Sequence, residues 1–108
     1  MCIRDSIITL PFNTRLKEGD NFVGRSLNYF ESWKSSRQPK YLILAETNTI
    51  SAIISFSKLE SEISPRIIEF YVARERRTKA CKLLAEVKYE ANNHGLDLNG
   101  IIPFGCIY

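Results

Sequence analysis

The sequence predicts an α/β (α+β) fold, with a mixed, mostly antiparallel sheet flanked by helices. Three patterns support this prediction. Two apolar, β-branched runs lie on either side of "ETNT" between Tyr41 and Leu59, which is typical of a β-hairpin. The segment "RIIEFYVA" at residues 66–73 predicts a third strand. From Thr78 the apolar spacing changes to about 3.6 residues, which predicts a helix packed on the sheet.

The amino-terminal third of the chain predicts a strand followed by a helix. Residues Ile7–Phe12 read as a short strand that a proline ends, and "NTRLKEGD" after it reads as a polar loop. A helix is expected over Asn21–Ser35, with Asp20 as its N-cap. Its apolar side chains at helical spacing are Val23, Leu27 and Phe30. The segment "SSRQPK" then ends this helix.

The last part of the chain predicts a strand–helix–strand unit. Its helix begins at Thr78 and ends at Asn93-His94-Gly95, which is a C-cap signal. Apolar side chains form one stripe along it: Ala80, Leu83, Leu84, Val87 and Ala91. "LDLNGIIPFG" predicts a further strand. A right-handed crossover would make Ile67–Val72 and Ile101–Phe104 parallel neighbours.

Composition and charge are those of one globular domain. The chain has 108 residues, of which 44% are apolar and 25% charged. No apolar run approaches the roughly 20 residues that span a bilayer, so we expect no membrane partner. A net charge of +3 is too small by itself to indicate nucleic acid. Cys81 and Cys106 are too few for a disulfide framework and are not spaced as metal ligands, which favours a reducing, cytoplasmic location and no metal site.

The first six residues, "MCIRDS", are interpreted as the translation of a sequencing adapter. Read back into codons, they match the end of a transposase adapter that is used to fragment DNA for sequencing libraries. This predicts a source in an environmental, metagenomic assembly. The single domain is then expected to occupy residues 7–108 as a fragment of a longer protein.

Four cations gather where the third predicted strand meets the last helix. They are Arg74, Arg76, Arg77 and Lys79, and only Glu75 opposes them. A helix N-terminus already carries a partial positive charge of about +0.5, so cations there disfavour the free helix. A bound anion would remove the conflict, because free backbone N–H groups converge at that terminus. The alternative is a solvated basic loop whose charges are screened within about 10 Å.

Glu69 is a candidate general base. It interrupts an otherwise apolar strand, and strand alternation places it on one face with Tyr71 and Ala73. A carboxylate among aromatic and aliphatic neighbours is suited to accepting a proton from a substrate. The alternative is that Glu69 pairs with an arginine or points to solvent.

The order of elements and these residues resemble the GNAT family of acetyl-CoA-dependent N-acetyltransferases. "KYLILAETNTISAIISFSKL" is similar to the second and third strands of that family. "IIEFYVARERRTKACKLLAEVKYEANNHG" is similar to its fourth strand, pyrophosphate-binding loop and third helix. The resemblance implies an acyl-CoA N-acyltransferase-like fold, incomplete at the C-terminus. It also implies a catalytic role for Glu69 and acetyl-CoA as the acetyl donor.

The same resemblance implies a cofactor site. In the family, a loop with the motif Arg/Gln-x-x-Gly-x-Gly/Ala holds the pyrophosphate of CoA through its backbone amides. Arg77 takes the first place of the motif, Ala80 the first glycine and Lys82 the second. The backbone groups of Val72 and Ala73 would hold the pantetheine arm. The implied cofactor-binding residues are Val72, Ala73, Arg77, Thr78, Lys79, Ala80 and Lys82.

Three functions are compatible with these patterns. The first is transfer of an acetyl group from acetyl-CoA to a small-molecule or protein amine. The second is an inactive protein of the same fold with a structural or interaction role, of a kind expected in phage genomes. The absence of glycine between Arg66 and Gly95, where the family motif needs one, supports this alternative. The third is a nucleic-acid module in which Phe70 and Tyr71 stack on bases, although alternation places these rings on opposite faces.

Overall fold

The chain folds into three helices. The computed structural model describes the backbone of residues 2–98, 103 and 106, and the side chains of residues 12–98, 103 and 106. The helices are α1 (Cys2–Ser36), α2 (Pro39–Ser61) and α3 (Ile68–Asn93). Across those described residues there is no β-strand. The predicted α/β fold is therefore wrong, and the architecture is an all-α three-helix bundle.

The segments predicted as strands are parts of helices. Ile7–Phe12 lies in α1, the predicted hairpin is the body of α2, and most of residues 66–73 form the first turns of α3. In α2 the buried residues recur every three or four positions: Leu42, Ala45, Glu46, Thr49, Ala52, Ile53, Phe56 and Leu59. Burial of this helical face outweighs the β-propensity of the branched side chains. The predicted strand Ile101–Phe104 lies outside the described residues except for Pro103.

The helix predicted over Asn21–Ser35 is confirmed as the carboxyl half of α1. Asp20 is not its N-cap, because α1 runs through this position without a break. The end predicted at "SSRQPK" is also confirmed. Arg37 follows α1 with a φ of 59°, in the left-handed region that ends many helices. Pro39 then opens α2, where its fixed φ suits the first helical turn.

The last predicted helix is confirmed in part. It ends as expected, with His94 as C-cap and Gly95 at a φ of 72°. Its start is wrong, because α3 begins at Ile68 rather than at Thr78. The cationic segment thus lies inside the helix and not at its N-terminus, which removes the premise of the expected anion site.

The middle helix α2 packs on both of its neighbours. The bundle is flat, with extents of 55 × 26 × 16 Å, and α1 and α3 meet each other little. Buried contacts join Phe12 to Ala73 at one end of the molecule and place Trp33 near Ala91 at the other. Helices α1 and α3 are therefore parallel, and α2 is antiparallel to both. Phe56 lies in the central cluster between them.

Small side chains allow α1 and α2 to approach closely. Gly19 faces the ring of Phe56, and Ser26 is fully buried against α2. The Ser26 hydroxyl donates to the carbonyl oxygen of Ala45 at 2.9 Å, and the Thr49 hydroxyl donates to the same oxygen at 2.7 Å. The two hydroxyl groups also contact each other. Hydrogen bonds of this kind, buried between small residues, fix the register of the two helices.

A disulfide joins Cys81 in α3 to Cys106, with their Cα atoms 5.5 Å apart. The two thiols were expected to stay reduced and unlinked, so the observed pairing differs from the prediction. It attaches the C-terminal segment to α3 at a position next to the central buried cluster. Disulfides persist chiefly in oxidising compartments.

Candidate functional site

The predicted site residues all lie along α3, so they do not form a strand and a loop. Glu69 is in the first turn of the helix and Lys82 is near its middle. With a rise of about 1.5 Å per residue, these two positions are about 20 Å apart along the axis. A general base at Glu69 and a cofactor site that extends to Lys82 are therefore distant on one rigid element.

The backbone of the predicted pyrophosphate loop is helical. Arg77, Thr78, Lys79 and Ala80 lie well inside α3, whose N-terminus is at Ile68. Amide groups in a helix interior donate to the carbonyl oxygens four residues earlier. The Thr78 hydroxyl also stays within the helix and donates to the carbonyl oxygen of Arg74 at 2.9 Å. These amides are thus not available to hold a phosphate.

The cations of the cluster pair with acids on all three helices. Arg77 and Arg74 donate to the carboxylate of Glu60 at 2.7 and 3.0 Å. Arg76 pairs with Asp20 of α1. Lys79 lies 3.0 Å from Glu75 one turn earlier. The local charge conflict seen in the sequence is therefore relieved by the fold itself, without a bound anion.

Glu60 is the centre of this ionic cluster. Its side chain is 12% exposed and that of Arg77 is 14% exposed, so the pair is largely removed from water. Burial raises the pKa of Glu60, but hydrogen bonds and charge from Arg77 and Arg74 lower it more, and the net pKa lies below the ordinary value. Glu60 therefore stays ionised and joins α2 to α3.

The remaining predicted site residues are either packed in the core or placed on the surface of the bundle. Ala73 and Ala80 are buried against the other helices, and Val72 packs beside the first of them. Lys82 is exposed on the rim of the groove between α1 and α3. The partly buried carboxylate of Glu69 is in the first turn of α3, where the helix dipole favours an acid. A structural role accounts for each of these placements except that of Lys82.

The aromatic pair proposed to stack on bases packs on itself. The ring centroids of Phe70 and Tyr71 are 5.2 Å apart in an edge-to-face arrangement. The guanidinium of Arg74 lies 5.0 Å from the centre of the Phe70 ring, as in a cation–π contact. These rings do not lie on a sheet, so the surface on which the nucleic-acid hypothesis depended is absent from the described residues.

A groove runs between α1 and α3 above α2. Its cavity is about 270 Å³, and Phe56 is at its floor. Its walls are apolar, from Val23 and Leu27 on one side and Leu83 on the other. Charged side chains line the rim: Asp20, Arg76, Lys79, Lys82 and Glu86. The groove is open to solvent and smaller than most ligand pockets.

The other prominent surface is on α2, on the side opposite to Phe56. Its exposed members are Ile43, Leu44, Thr47 and Ile54, and its partly exposed members are Asn48, Ile50, Ser51 and Ser55, of which Ile50 also packs against the central buried cluster; we call it the neutral face. Ile43 is 53% exposed and Ile54 56% exposed. Between Tyr41 and Ser57 the one charged residue is Glu46, which is buried and pairs with Lys88 at 3.0 Å. The outward side of α2 thus carries no charge over about four helical turns.

Two of the polar side chains on the neutral face bond to their own helix. The Thr47 hydroxyl donates to the carbonyl oxygen of Ile43 at 3.0 Å. The Asn48 amide nitrogen donates to the carbonyl oxygen of Leu44 at 2.8 Å. Because the Thr47 hydroxyl proton and one of the two N–H groups of Asn48 are bonded internally, these donors can be covered by another surface at little cost in lost hydration. The neutral face is therefore suited to burial against a partner.

Sequence reasoning missed the neutral face because it treated residues 41–59 as a hairpin. The signal was present, since the segment lacks exposed charge and its isoleucines recur at helical spacing. The groove was missed for a different reason. Leu27 and Leu83 of its walls lie more than fifty residues apart in sequence, and only the fold brings them together.

Two further features, a metal site and a membrane-spanning helix, are not found in the part of the chain that the structure describes. No cluster of three or more His, Cys, Asp or Glu side chains is arranged to hold a metal ion among these residues. None of the helices there is both long and apolar enough to cross a bilayer.

No protein-family model matches the chain, and neither a curated protein nor a solved structure matches it significantly.

Proposed function

We propose that this chain is a non-catalytic helical interaction protein that docks on a protein surface through the neutral face of α2. The observation that carries the proposal is the lack of charge on that exposed face, together with the exposure of Ile43 and Ile54. The cores of protein interfaces are depleted in charged residues, and contiguous exposed apolar surface marks interaction sites. The proposal keeps the interaction role of the second sequence hypothesis and gives up its fold.

Acetyl transfer from acetyl-CoA to an amine stays a prediction with little support from the described residues. It presupposed a strand and a glycine-type loop at positions that are helical. Arg77, which was to hold the pyrophosphate, is engaged with Glu60 instead. An interaction role needs none of these features.

A cytoplasmic location also stays a prediction. The disulfide between Cys81 and Cys106 weighs against it, since reducing compartments keep most thiols unpaired. A location outside the reducing cytoplasm is the better match to this pairing. Free-thiol labelling of the chain as isolated from its cells, before any exposure to air, measures whether Cys81 and Cys106 are paired there. Free thiols would support the cytoplasmic prediction, and a paired state would support an oxidising compartment.

Partner recovery tests the docking proposal. The tagged wild-type chain and an Ile54→Lys variant are expressed in the same cells, crosslinked, and the recovered proteins, including untagged copies of the chain, are quantified. At least one protein should be recovered with the wild type and lost with the variant. A Leu27→Lys variant is the matched control, because Leu27 is 47% exposed but lies in the groove. If Ile54→Lys retains every partner, the neutral face is not the docking surface.

Calorimetry separates this role from the enzymatic hypothesis. The folded chain is titrated with CoA at low and moderate salt, and no saturable heat is expected. Saturable CoA binding that is weakened by Lys82→Ala would support the acetyltransferase hypothesis instead, because Lys82 is the exposed residue of the implied motif. This variant leaves the ionic contacts of Glu60 intact, so a loss of binding would not come from misfolding.

A further inference from the structure

The disulfide lies on the seam between α2 and α3, midway between two ion pairs. Lys88 of α3 pairs with Glu46 of α2 at 3.0 Å, and Arg74 pairs with Glu60 at 3.0 Å. Cys81 is seven residues from each of these two cations, and residues at that spacing lie on one line along a helix. The disulfide is therefore level with the middle of α2, between the two ion pairs.

The same level of α2 carries the edge of the neutral face. Ile50 and Ile54 lie within one turn of Ile53, which is the midpoint of α2 between the two paired acids. Ile50 is partly buried and packs against the central buried cluster, to which Ile53 belongs. Cys106 packs against the same cluster. Cys106 thus covers the seam between α2 and α3 beside the neutral face.

We infer that the disulfide between Cys81 and Cys106 is a redox latch on the docking surface. While the bond is formed, it holds Cys106 on the seam. Reduction releases Cys106 and uncovers Ile50 and Cys81, so that the exposed apolar surface extends from the neutral face onto α3. A partner then buries more apolar area, and docking is stronger for the reduced chain. The inference rests on the proposed function and names how its surface is regulated.

The described contacts allow Cys106 to leave while the three helices stay packed. The N–H group of Cys106 donates to the carbonyl oxygen of Pro103 at 2.9 Å, which is a bond within its own segment. The ion pairs of Glu46 and Glu60 hold α3 on α2 on either side of the disulfide. The buried side chains of the helices form the three core clusters, and Cys106 only borders one of them. Reduction should therefore open the seam without unfolding the bundle.

The chemical step is thiol–disulfide exchange with a dithiol reductant. A thiolate of the dithiol attacks the sulfur of Cys106, because this residue is partly exposed whereas Cys81 is 8% exposed. Cys81 leaves as a thiolate and takes up a proton. The second thiol of the reductant then displaces Cys106 from the mixed disulfide. Both cysteines end as thiols, and the dithiol is oxidised to a disulfide in this two-electron step.

Methyl NMR of the full chain with a paramagnetic probe in the solvent tests the latch. The chain is measured oxidised and after reduction with dithiothreitol. The relaxation enhancement of the Ile50 methyl groups should rise on reduction. That of Ile43, which is two turns away and already 53% exposed, should stay the same. Cys106→Ser should show the high value at Ile50 with and without dithiothreitol, and circular dichroism should show that the helices persist in every sample.

Docking is measured with the protein whose recovery depends on Ile54. The oxidised chain, the reduced chain and the Cys106→Ser variant are each titrated against it. The reduced chain and the variant should bind about tenfold more tightly than the oxidised chain, since part of an isoleucine side chain is added to the buried area. The variant is measured without dithiothreitol, so an effect of the reductant on the partner cannot produce its result.

Each result has a definite meaning. Unchanged exposure of Ile50 in a folded, reduced chain overturns the latch, while dependence of recovery on Ile54 would still support the proposed function. Loss of the helices on reduction makes the disulfide a structural link and also overturns the latch. Exposure of Ile50 with equal affinities of the oxidised and reduced chains overturns the regulation alone. If no recovered protein depends on Ile54, the proposed function fails, and the regulation of docking fails with it.

Discussion

Gly19 gives the sharpest test of how α1 packs on α2. A Cβ atom at this position would lie 2.3 Å from Cε1 and 2.6 Å from Cζ of Phe56. Phe56 is 1% exposed and belongs to the central buried cluster, so its ring is confined by other side chains. Gly19→Ala therefore forces either the ring or the two helix axes to move. Gly24 on the same helix has nothing within 4 Å of the equivalent Cβ position.

The comparison of these two glycines isolates the cost of the contact. Replacing glycine by alanine inside a helix stabilises it by about 1 kcal/mol. Overpacking a buried contact costs about 1–3 kcal/mol. Gly24→Ala should thus stabilise the protein by up to about 1 kcal/mol, whereas Gly19→Ala should be neutral or destabilise it by up to about 2 kcal/mol. The difference between the two variants, about 1–3 kcal/mol, measures the contact with Phe56.

Thermal and urea unfolding followed by circular dichroism measure this difference. For a domain of this size, 1 kcal/mol corresponds to about 4–8 °C in Tm. The Phe56→Leu variant, alone and combined with Gly19→Ala, completes a double-mutant cycle. The combined variant should recover part of the loss, because the smaller side chain makes room for the methyl group. Equal Tm shifts for Gly19→Ala and Gly24→Ala would refute the close approach of α1 and α2 at this register.

Two further predictions concern the links to α3. Cys106→Ser should lower the free energy of unfolding by about 3 kcal/mol, as expected for a closed loop of this length. Reductant should lower the free energy of unfolding of the wild type by the same amount and leave that of the variant unchanged. A wild type whose unfolding is unaffected by reductant would contradict the disulfide. Glu60 has a lowered pKa when folded, so its contribution is present above the ordinary carboxyl pKa and is lost as pH falls through the folded value. In urea unfolding measured as a function of pH, Glu60→Gln should reduce this loss of stability at low pH, whereas the control Glu86→Gln should not. If the wild type and Glu60→Gln lose stability identically as the pH falls, Glu60 does not contribute to the pH dependence.

Local signals predicted some features of the fold. The end of α1 at Arg37 and the end of α3 at Gly95 were predictable, because turn chemistry and C-cap glycine act over a few residues. The identity of α2 was not, because isoleucine and threonine favour strands and a short apolar run fits a buried helix or a strand equally well. Length could have decided the question. "ETNT" contains no glycine or proline, so nothing in residues 41–59 interrupts a helix.

The ionic cluster shows why a site was expected where the structure has a scaffold. From sequence, Arg74 and Arg77 were counted against Glu75 alone, and the excess of cations indicated a ligand. The neutralising acids come from elsewhere, from Glu60 on α2 and Asp20 on α1. Ion pairs between residues so far apart in sequence depend on how the helices pack. They could not be predicted from an α/β fold that places these segments differently. A charge cluster on one segment therefore indicates a ligand only after the acids that the fold brings to it have been counted.

The charge distribution on α2 is the reverse of what a solvent-facing helix needs. Its central acid, Glu46, is 5% exposed and pairs with Lys88, whereas Ile43 and Ile54 are more than half exposed. A buried ion pair of this kind contributes little net stability beyond what apolar packing would give. The exposed isoleucines gain little from folding, since most of their surface stays in water. The stability of the monomer thus explains neither the buried position of Glu46 nor the exposed positions of Ile43 and Ile54. The docking proposed for the neutral face would account for the exposed isoleucines, and it would also account for the position of the acid of this segment on the inner side of the helix.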